Sequence, residues 1–204
     1  MGITVSIKSH REILIKKTIS TLVALTLILV AIASSAQAPT NTNVKVRLTT
    51  DLGDIVIVLY PDKAPITVKN FLDYVDSGYY NGLIFHRVKP NFVVQGGGLS
   101  FDYVRKKPNA PIKNESANGL KNTTGTLAMA RHSDPDSATS QFFINMKHNK
   151  TLNYKKNKPG YTVFGRVMTG MGVALRITKE PRGMIRAFPE APNNPIRILR
   201  AERI

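Results

Sequence analysis

An arginine inside an apolar stretch is the first feature of the chain that suggests chemistry. Residues 85–88 read FHRV, and Gln95 follows in the apolar run FVVQGG over 92–97. A guanidinium among apolar residues needs a partner or an incoming ligand, because an unpaired buried charge is unfavourable. Alternate side chains of a strand share a face, so Arg87 should share the face of Phe85 unless the strand is twisted or bulged. Taken alone, these residues favour a surface arginine, or one paired with a carboxylate, over a catalytic arginine.

Several other kinds of reactive site find no support in the sequence. The chain has no cysteine, which excludes a cysteine nucleophile, a redox pair and a cysteine-based zinc site. His86, His132 and His148 lack the short spacing of metal ligands, so no metal site is predicted, and His86 is expected to be a hydrogen-bonded structural histidine. Gly96-Gly97-Gly98 lacks the spacing of a nucleotide-binding loop. We therefore expect neither a metal nor a cofactor.

Short strands and two helices would have to position these residues. The alternating segment 44–48 and the β-branched segment 55–60 flank turn residues and predict a hairpin. Apolar residues at helical spacing (Val68, Phe71, Leu72 and Val75) predict a helix over 62–77. Further strands are predicted over 83–85, 92–94, 126–130, 141–144, 161–164 and 195–199, and a second helix over 170–177. Many short strands without a βαβ rhythm indicate an all-β antiparallel barrel, closed or nearly closed, with two helices.

The first 38 residues differ in character from the rest. A basic segment precedes an uncharged apolar stretch, and the small residues of 34–38 follow it. This order is typical of a signal peptide, with cleavage predicted after Ala38 or alternatively after Ala36. The most apolar part, 22–33, is shorter than the roughly 20 residues of a membrane span. We predict a signal peptide over 1–38, a linker over 39–43 and one domain over 44–204, exported to the periplasm. An uncleaved leader that anchors the protein in the membrane is the alternative.

The chain is strongly basic, with a net charge of +16. The leader contributes four basic residues and one acid, which leaves +13 on the remainder. Such a charge can indicate nucleic-acid binding. Here the basic residues are scattered and the leader predicts export, so we expect a basic solvated surface and no specific nucleic-acid site.

Four segments, in this order, resemble the signature blocks of the cyclophilin family of peptidyl-prolyl cis-trans isomerases. They are FHRVKPNFVVQGG over 85–97, GTLAMAR over 125–131, SATSQFFIN over 137–145 and YTVFGRV over 161–167. The segment APITVKNF over 64–71 also resembles the family's first helix. The resemblance covers about residues 44–201 and is greatest to the bacterial periplasmic branch. It implies an eight-stranded antiparallel cyclophilin-like barrel capped by α-helices, with a substrate groove on its outer surface.

The resemblance also implies which residues form the site. Arg87 occupies the position of the family's catalytic arginine, and Phe92, Val93, Phe143 and Leu152 those of the proline pocket. The remaining positions implied to bind substrate are Gln95, Ala130, Arg131, Gln141 and Tyr161, with the backbone of residues 130–131 pairing with the peptide. Thr151 replaces an aromatic residue beside the pocket leucine, which makes cyclosporin binding doubtful. Val93 replaces a common methionine, so altered selectivity is expected.

The predicted function is cis-trans isomerisation of Xaa-Pro bonds without a cofactor, in unfolded or newly exported proteins. An intact Arg87 and proline pocket favour this function over a non-catalytic module that only binds proline-containing peptides. Electrostatic adhesion through the basic surface is a third hypothesis. The protein is expected to be a monomer that meets the membrane only through an uncleaved signal peptide.

Overall fold

The computed structural model describes residues 44–204. The predicted signal peptide over 1–38 and the linker over 39–43 lie outside the described residues. The strands are β1 Lys45–Thr50, β2 Gly53–Leu59, β3 Arg87–Lys89, β4 Val93–Gly96, β5 Thr126–Met129, β6 Phe142–Asn145, β7 Val163–Thr169, β8 Arg182–Ile185, β9 Phe188–Pro192 and β10 Ile198–Arg203. The helices are α1 Pro65–Asp76, α2 Met171–Lys179 and a 3-10 helix over Lys150–Leu152.

Eight of the strands form one antiparallel sheet in the order β10-β1-β2-β7-β5-β6-β4-β3. The chain just before β3 bonds to the start of β10, which lies at the opposite edge of the sheet. The Gly82 N–H donates to the Ile198 carbonyl at 2.8 Å, and the Ile198 N–H donates to the Leu83 carbonyl at 2.7 Å. The sheet therefore curls until its two ends meet, which confirms the predicted antiparallel barrel with two helices.

The first hairpin shows how the sequence pattern builds the barrel wall. In β1 every second residue is buried, so Val46 and Leu48 point inwards. In β2 the buried residues are Ile55, Ile57 and Leu59, and Ile57 and Ile55 lie opposite Val46 and Leu48 in the register. Alternation of this kind commits one face of each strand to the core.

Helix α1 packs its apolar stripe against the barrel. Val68, Phe71, Leu72 and Val75 are all buried, as the helical spacing predicts. The helix begins at Pro65, later than the predicted residue 62. Its first turn is capped from a distant part of the chain, because the Glu115 carboxylate accepts bonds from the Ile66 and Thr67 N–H groups at 3.1 and 2.8 Å. An acid at this position satisfies free N–H groups and complements the helix dipole.

Aromatic side chains fill the barrel interior. Phe71 lies between Phe142 and Phe164, with ring centroids 5.5 and 5.2 Å away. Tyr80 and Phe85 are also fully buried in this cluster. Phe85 and Phe142 are thus core residues, as expected, and a barrel filled in this way leaves substrate to bind on the outside.

Helix α2 covers another part of the barrel with Val173, Ala174 and Ile177. It starts after Gly170, whose φ of 92° favours glycine, and a Cβ there would collide with the Asp54 carbonyl.

The two α-helices have 12 and 9 residues, and neither is a candidate to span a bilayer. Within residues 44–204, no three His, Asp or Glu side chains are grouped so that they would hold a metal ion.

Several element boundaries differ from the predictions. Of residues 83–85, Leu83 and Ile84 make only isolated bridges, to Ser100 and Arg197, and Phe85 makes none. The last strand is Ile198–Arg203, further along than the predicted 195–199, and the strand predicted over 161–164 begins at Val163 and continues to Thr169. The hairpin of β8 and β9 was not predicted, since its prolines and Gly183 interrupt any alternating pattern.

Candidate active site

Strand register assembles the candidate site on the outer face of the barrel. Arg87 pairs with Gln95 across β3 and β4, and Gln95 pairs with Phe143 across β4 and β6. Phe143 in turn pairs with Ala128 on β5. Directly paired residues share a face of the sheet, so the register places a guanidinium, an amide and an aromatic ring in one row.

Arg87 does not share the face of Phe85. Phe85 and Val88 are both fully buried in the barrel core, whereas the Arg87 side chain is 36% exposed. The chain is irregular at His86, and β3 begins only at Arg87. Residues 85 and 86 lie outside the strand, so the alternation expected of a strand does not hold there, and Arg87 lies on the outer face.

Two side chains hold the Arg87 guanidinium. Its Nε donates to Glu190 Oε2 at 2.6 Å, and its Nη1 donates to Gln95 Oε1 at 3.3 Å. Gln95 Nε2 then donates to Gln141 Oε1 at 3.0 Å. The sequence alone favoured an arginine on the surface or paired with a carboxylate, and Glu190 is such a carboxylate. Arg87 nevertheless also lines an apolar pocket.

An apolar pocket lies beside the guanidinium. Val93 and Phe143 are almost fully buried, and they form a cluster separate from the barrel core with the half-buried Phe92 and Leu152. The cavity has a volume of about 190 Å³. It is lined by Arg87, Phe92, Val93, Gln95, Ala130, Arg131, Phe143, Leu152 and Tyr161. The structure thus brings together every residue predicted for the site except Gln141, which bonds to Gln95 and lines an adjoining cavity.

An amide network supports the pocket from below. Asn149 Nδ2 donates to the Phe92 carbonyl at 2.9 Å and to Asn145 Oδ1 at 2.8 Å. Asn122 Nδ2 donates to the Leu152 carbonyl at 3.1 Å. These buried amides fix the two chain segments that carry pocket side chains. Sequence reasoning missed all three, since their partners are other parts of the chain.

Arg131 has a different environment from Arg87. Its guanidinium carbon lies 4.7 Å from the centroid of the Tyr161 ring, within the range of a cation–π contact. Its nitrogens donate to backbone carbonyls, including those of Pro159 at 3.0 Å and His132 at 2.8 Å. The side chain therefore fixes the loops at the pocket rim. The neighbouring Ala130 N–H donates to the Gln141 carbonyl at 2.9 Å.

His86 is buried, as expected of a structural histidine. Its Nδ1 has no hydrogen-bond partner among residues 44–204, so the expected hydrogen bonding is missing at this nitrogen. Burial lowers the pKa of His86 to about 4, and the nearby charges of Arg105 and Arg87 contribute to the decrease. The imidazole is therefore neutral beside the site at ordinary pH.

Glu190 is the site residue that sequence reasoning missed altogether. Its two oxygens contact the Arg87 Nε at 2.6 Å and the Lys89 Nζ at 3.0 Å. Partial burial raises the pKa of Glu190, but hydrogen bonds and charges from Lys89 and Arg87 outweigh it, so the pKa lies below the ordinary 4.5. The carboxylate is thus ionised at neutral pH.

Thr151, the residue that replaces an aromatic beside the pocket leucine, is exposed and does not line the pocket.

Comparisons with known proteins identify the family. Residues 45–203 match the family model described as "Cyclophilin type peptidyl-prolyl cis-trans isomerase/CLD". A peptidyl-prolyl cis-trans isomerase of Acinetobacter baylyi is 52% identical over 154 residues, which are 76% of this chain and 82% of that protein. Peptidyl-prolyl cis-trans isomerase A of Dickeya dadantii is 51% identical over 159 residues, covering 78% of this chain and 84% of the relative.

A similar solved structure is that of a Cryptosporidium parvum cyclophilin-type peptidyl-prolyl cis-trans isomerase in the presence of the dipeptide Ala-Pro. The TM-score is 0.65 with 28% identity, and the match covers 78% of this chain and 97% of that one. The barrel, the outer pocket and these matches agree. The chain belongs to the cyclophilin-type peptidyl-prolyl cis-trans isomerases, and it is an enzyme that interconverts the cis and trans forms of Xaa-Pro peptide bonds.

Proposed function

We propose that the outer groove binds an Xaa-Pro segment with its proline ring in the apolar pocket and its prolyl carbonyl facing Arg87. The observation that carries this proposal is the cavity that Arg87 shares with Phe92, Val93, Phe143 and Leu152. A proline ring is compact and apolar, so burying it against these side chains is favourable. The Cryptosporidium relative studied with Ala-Pro supports a dipeptide of this class as the probe.

Rotation about the Xaa-Pro bond needs no bond to be made or broken. The barrier of ~18–20 kcal/mol arises from amide resonance, and uncatalysed exchange takes tens to hundreds of seconds. A catalyst has only to favour the twisted transition state over the two planar forms. With the ring held in the pocket, the preceding carbonyl is free to swing.

Arg87 is the donor that favours the twisted state in this proposal. In the twisted bond the prolyl nitrogen loses its resonance and becomes pyramidal. A fixed guanidinium that bonds to the prolyl carbonyl and favours this nitrogen acts most strongly in the transition state. Arginine suits this role because it stays charged and presents a planar array of donors. This route requires no proton transfer.

We further propose that the clients are unfolded or newly exported chains and that the protein works as a monomer in the periplasm. The predicted leader supports export. The groove lies on the outer surface, where a flexible segment of another protein can reach it. A membrane anchor formed by an uncleaved leader remains the alternative location.

Leu152→Ala tests the pocket assignment. Leu152 is half-buried and lines the cavity, so its truncation should weaken proline binding without removing Arg87. Removing this side chain should cost about 1–2 kcal/mol of binding free energy. We therefore expect a roughly tenfold increase in KM for an Ala-Pro tetrapeptide, with kcat largely unchanged. Leu175→Ala on α2 is the matched control, because Leu175 is 50% exposed and outside the cavity. Equal KM values for the two variants would contradict the assignment.

A further inference from the structure

We propose that Glu190 is a positioning residue for catalysis: it orients the Arg87 guanidinium so that one edge faces the proline pocket. The inference rests on the proposed role of Arg87 and extends it to a second element. Glu190 is 103 residues from Arg87 in sequence. It lies on β9, which is outside the eight-stranded sheet.

The bonds to Arg87 occupy two of its three nitrogens. Glu190 accepts from Nε and Gln95 accepts from Nη1, so the planar group is held at two points. Among residues 44–204, no acceptor bonds to Nη2. A planar group fixed at two corners cannot rotate freely about its long side chain, and Nη2 is left to donate to a substrate carbonyl. Orientation of this kind lowers the barrier because the donor need not be ordered during the reaction.

The position of Glu190 is fixed by the packing of its hairpin. Ala191 is fully buried in a small cluster with Ile84, Leu99 and Tyr103. The Tyr103 hydroxyl donates to the Pro192 carbonyl at 3.0 Å. The two residues that follow Glu190 are therefore anchored to the barrel, which holds the backbone beside the carboxylate in place.

Both oxygens of Glu190 are engaged, since Lys89 contacts Oε1 while Arg87 contacts Oε2. The side chains of Glu190 and Arg87 are 25% and 36% exposed. Ion pairs at such exposure contribute little to stability. The consequence of this contact should thus appear in turnover more than in folding. Supporting side chains that fix the geometry of a reacting group act in this way.

A double-mutant cycle on the full protein tests the inference. Glu190→Gln keeps the shape of the side chain but removes its charge, and Glu190→Asp keeps the charge on a shorter stem. We expect Glu190→Gln to lower kcat for an Ala-Pro tetrapeptide about five- to tenfold with little change in KM, and Glu190→Asp to restore part of the loss. In an Arg87→Ala background, Glu190→Gln should cause no further loss, because the two residues act as one unit. NMR exchange spectroscopy measures the slow isomerisation that remains in the two variants that carry Arg87→Ala.

A control variant and the exchange of the Arg87 Nε–H with water complete the test. Glu180→Gln removes a carboxylate just after the end of α2 that lines neither the pocket nor the adjoining cavity, and it should leave kcat unchanged. The Arg87 Nε–H resonance should exchange slowly with water in the wild type and quickly in Glu190→Gln. Wild-type kcat in Glu190→Gln, or equal losses in both backgrounds, would overturn the inference. If Arg87→Ala itself kept full turnover, the proposed role of Arg87 would fail first.

Discussion

At the scale of single residues, the site depends on how a few polar groups are partnered at the edge of an apolar pocket. Arg87 is bonded to Glu190 and Gln95, and it lines the cavity. The sequence indicated the arginine as unusual but gave no sign of its carboxylate. The nearby His86 is buried and neutral at ordinary pH, so it adds no positive charge beside Arg87.

The depressed pKa of His86 predicts that acid destabilises the fold. Its folded pKa of about 4 lies below the ordinary 6.5, so between these values the unfolded state binds a proton that the folded state does not. The stability from this group is complete above pH ~6.5 and is lost as the pH falls towards ~4. Between pH 7 and pH 5, we expect the free energy of unfolding to fall by about 2 kcal/mol through this group.

Urea unfolding of the wild type and His86→Gln at both pH values measures this effect. Glutamine does not titrate, so the variant should lack that part of the pH dependence whatever its absolute stability. Parallel pH profiles for the two proteins would show that His86 is not responsible.

At the scale of elements, long-range pairing decides what the sequence could and could not predict. The alternation in β1 and β2 and the apolar stripe of α1 are local patterns, and the structure confirms them. The Glu115 cap of α1 lies 48 residues from Thr67, and Glu190 lies 103 residues from Arg87, so no local pattern indicates either contact. Family resemblance supplied the positions that line the cavity, but not the β8–β9 hairpin that completes the support of Arg87.

The boundaries of the elements were the least predictable feature for the same reason. Residues 83–85 read as a strand by composition, yet they bond to the start of β10 and to the loops beside it, where the barrel closes. The irregularity at His86, which turns Arg87 outwards, also depends on this seam and on the burial of both Phe85 and Val88. Alternation of apolar and polar residues along a strand cannot predict such a change of face within four residues.

At the scale of the whole molecule, the barrel separates stability from function. Aromatic packing fills the interior, whereas the candidate site is built on the outer face from a separate apolar cluster. Substitutions in the pocket therefore need not disturb the barrel core.

The proposed export of the protein makes a prediction about its N-terminus. Protein recovered from the periplasmic fraction of the producing cell should lack the leader, with a new N-terminus after Ala38 or after Ala36. N-terminal sequencing or intact-mass measurement distinguishes the two sites. A chain that still begins at Met1 and sediments with membranes would instead support the anchored alternative.

The role of Arg87 can be tested by comparing the rates at which Arg87→Ala and the wild type isomerise an Ala-Pro tetrapeptide. Loss of a single fixed donor that acts in the transition state should lower kcat/KM about 100- to 1000-fold. The melting temperature should change little, because Arg87 is partly exposed. Arg200→Ala, which removes an exposed arginine of β10 that is paired with Glu202, should retain full activity. If Arg87→Ala and Arg200→Ala turn over the peptide equally well, the site does not work as proposed.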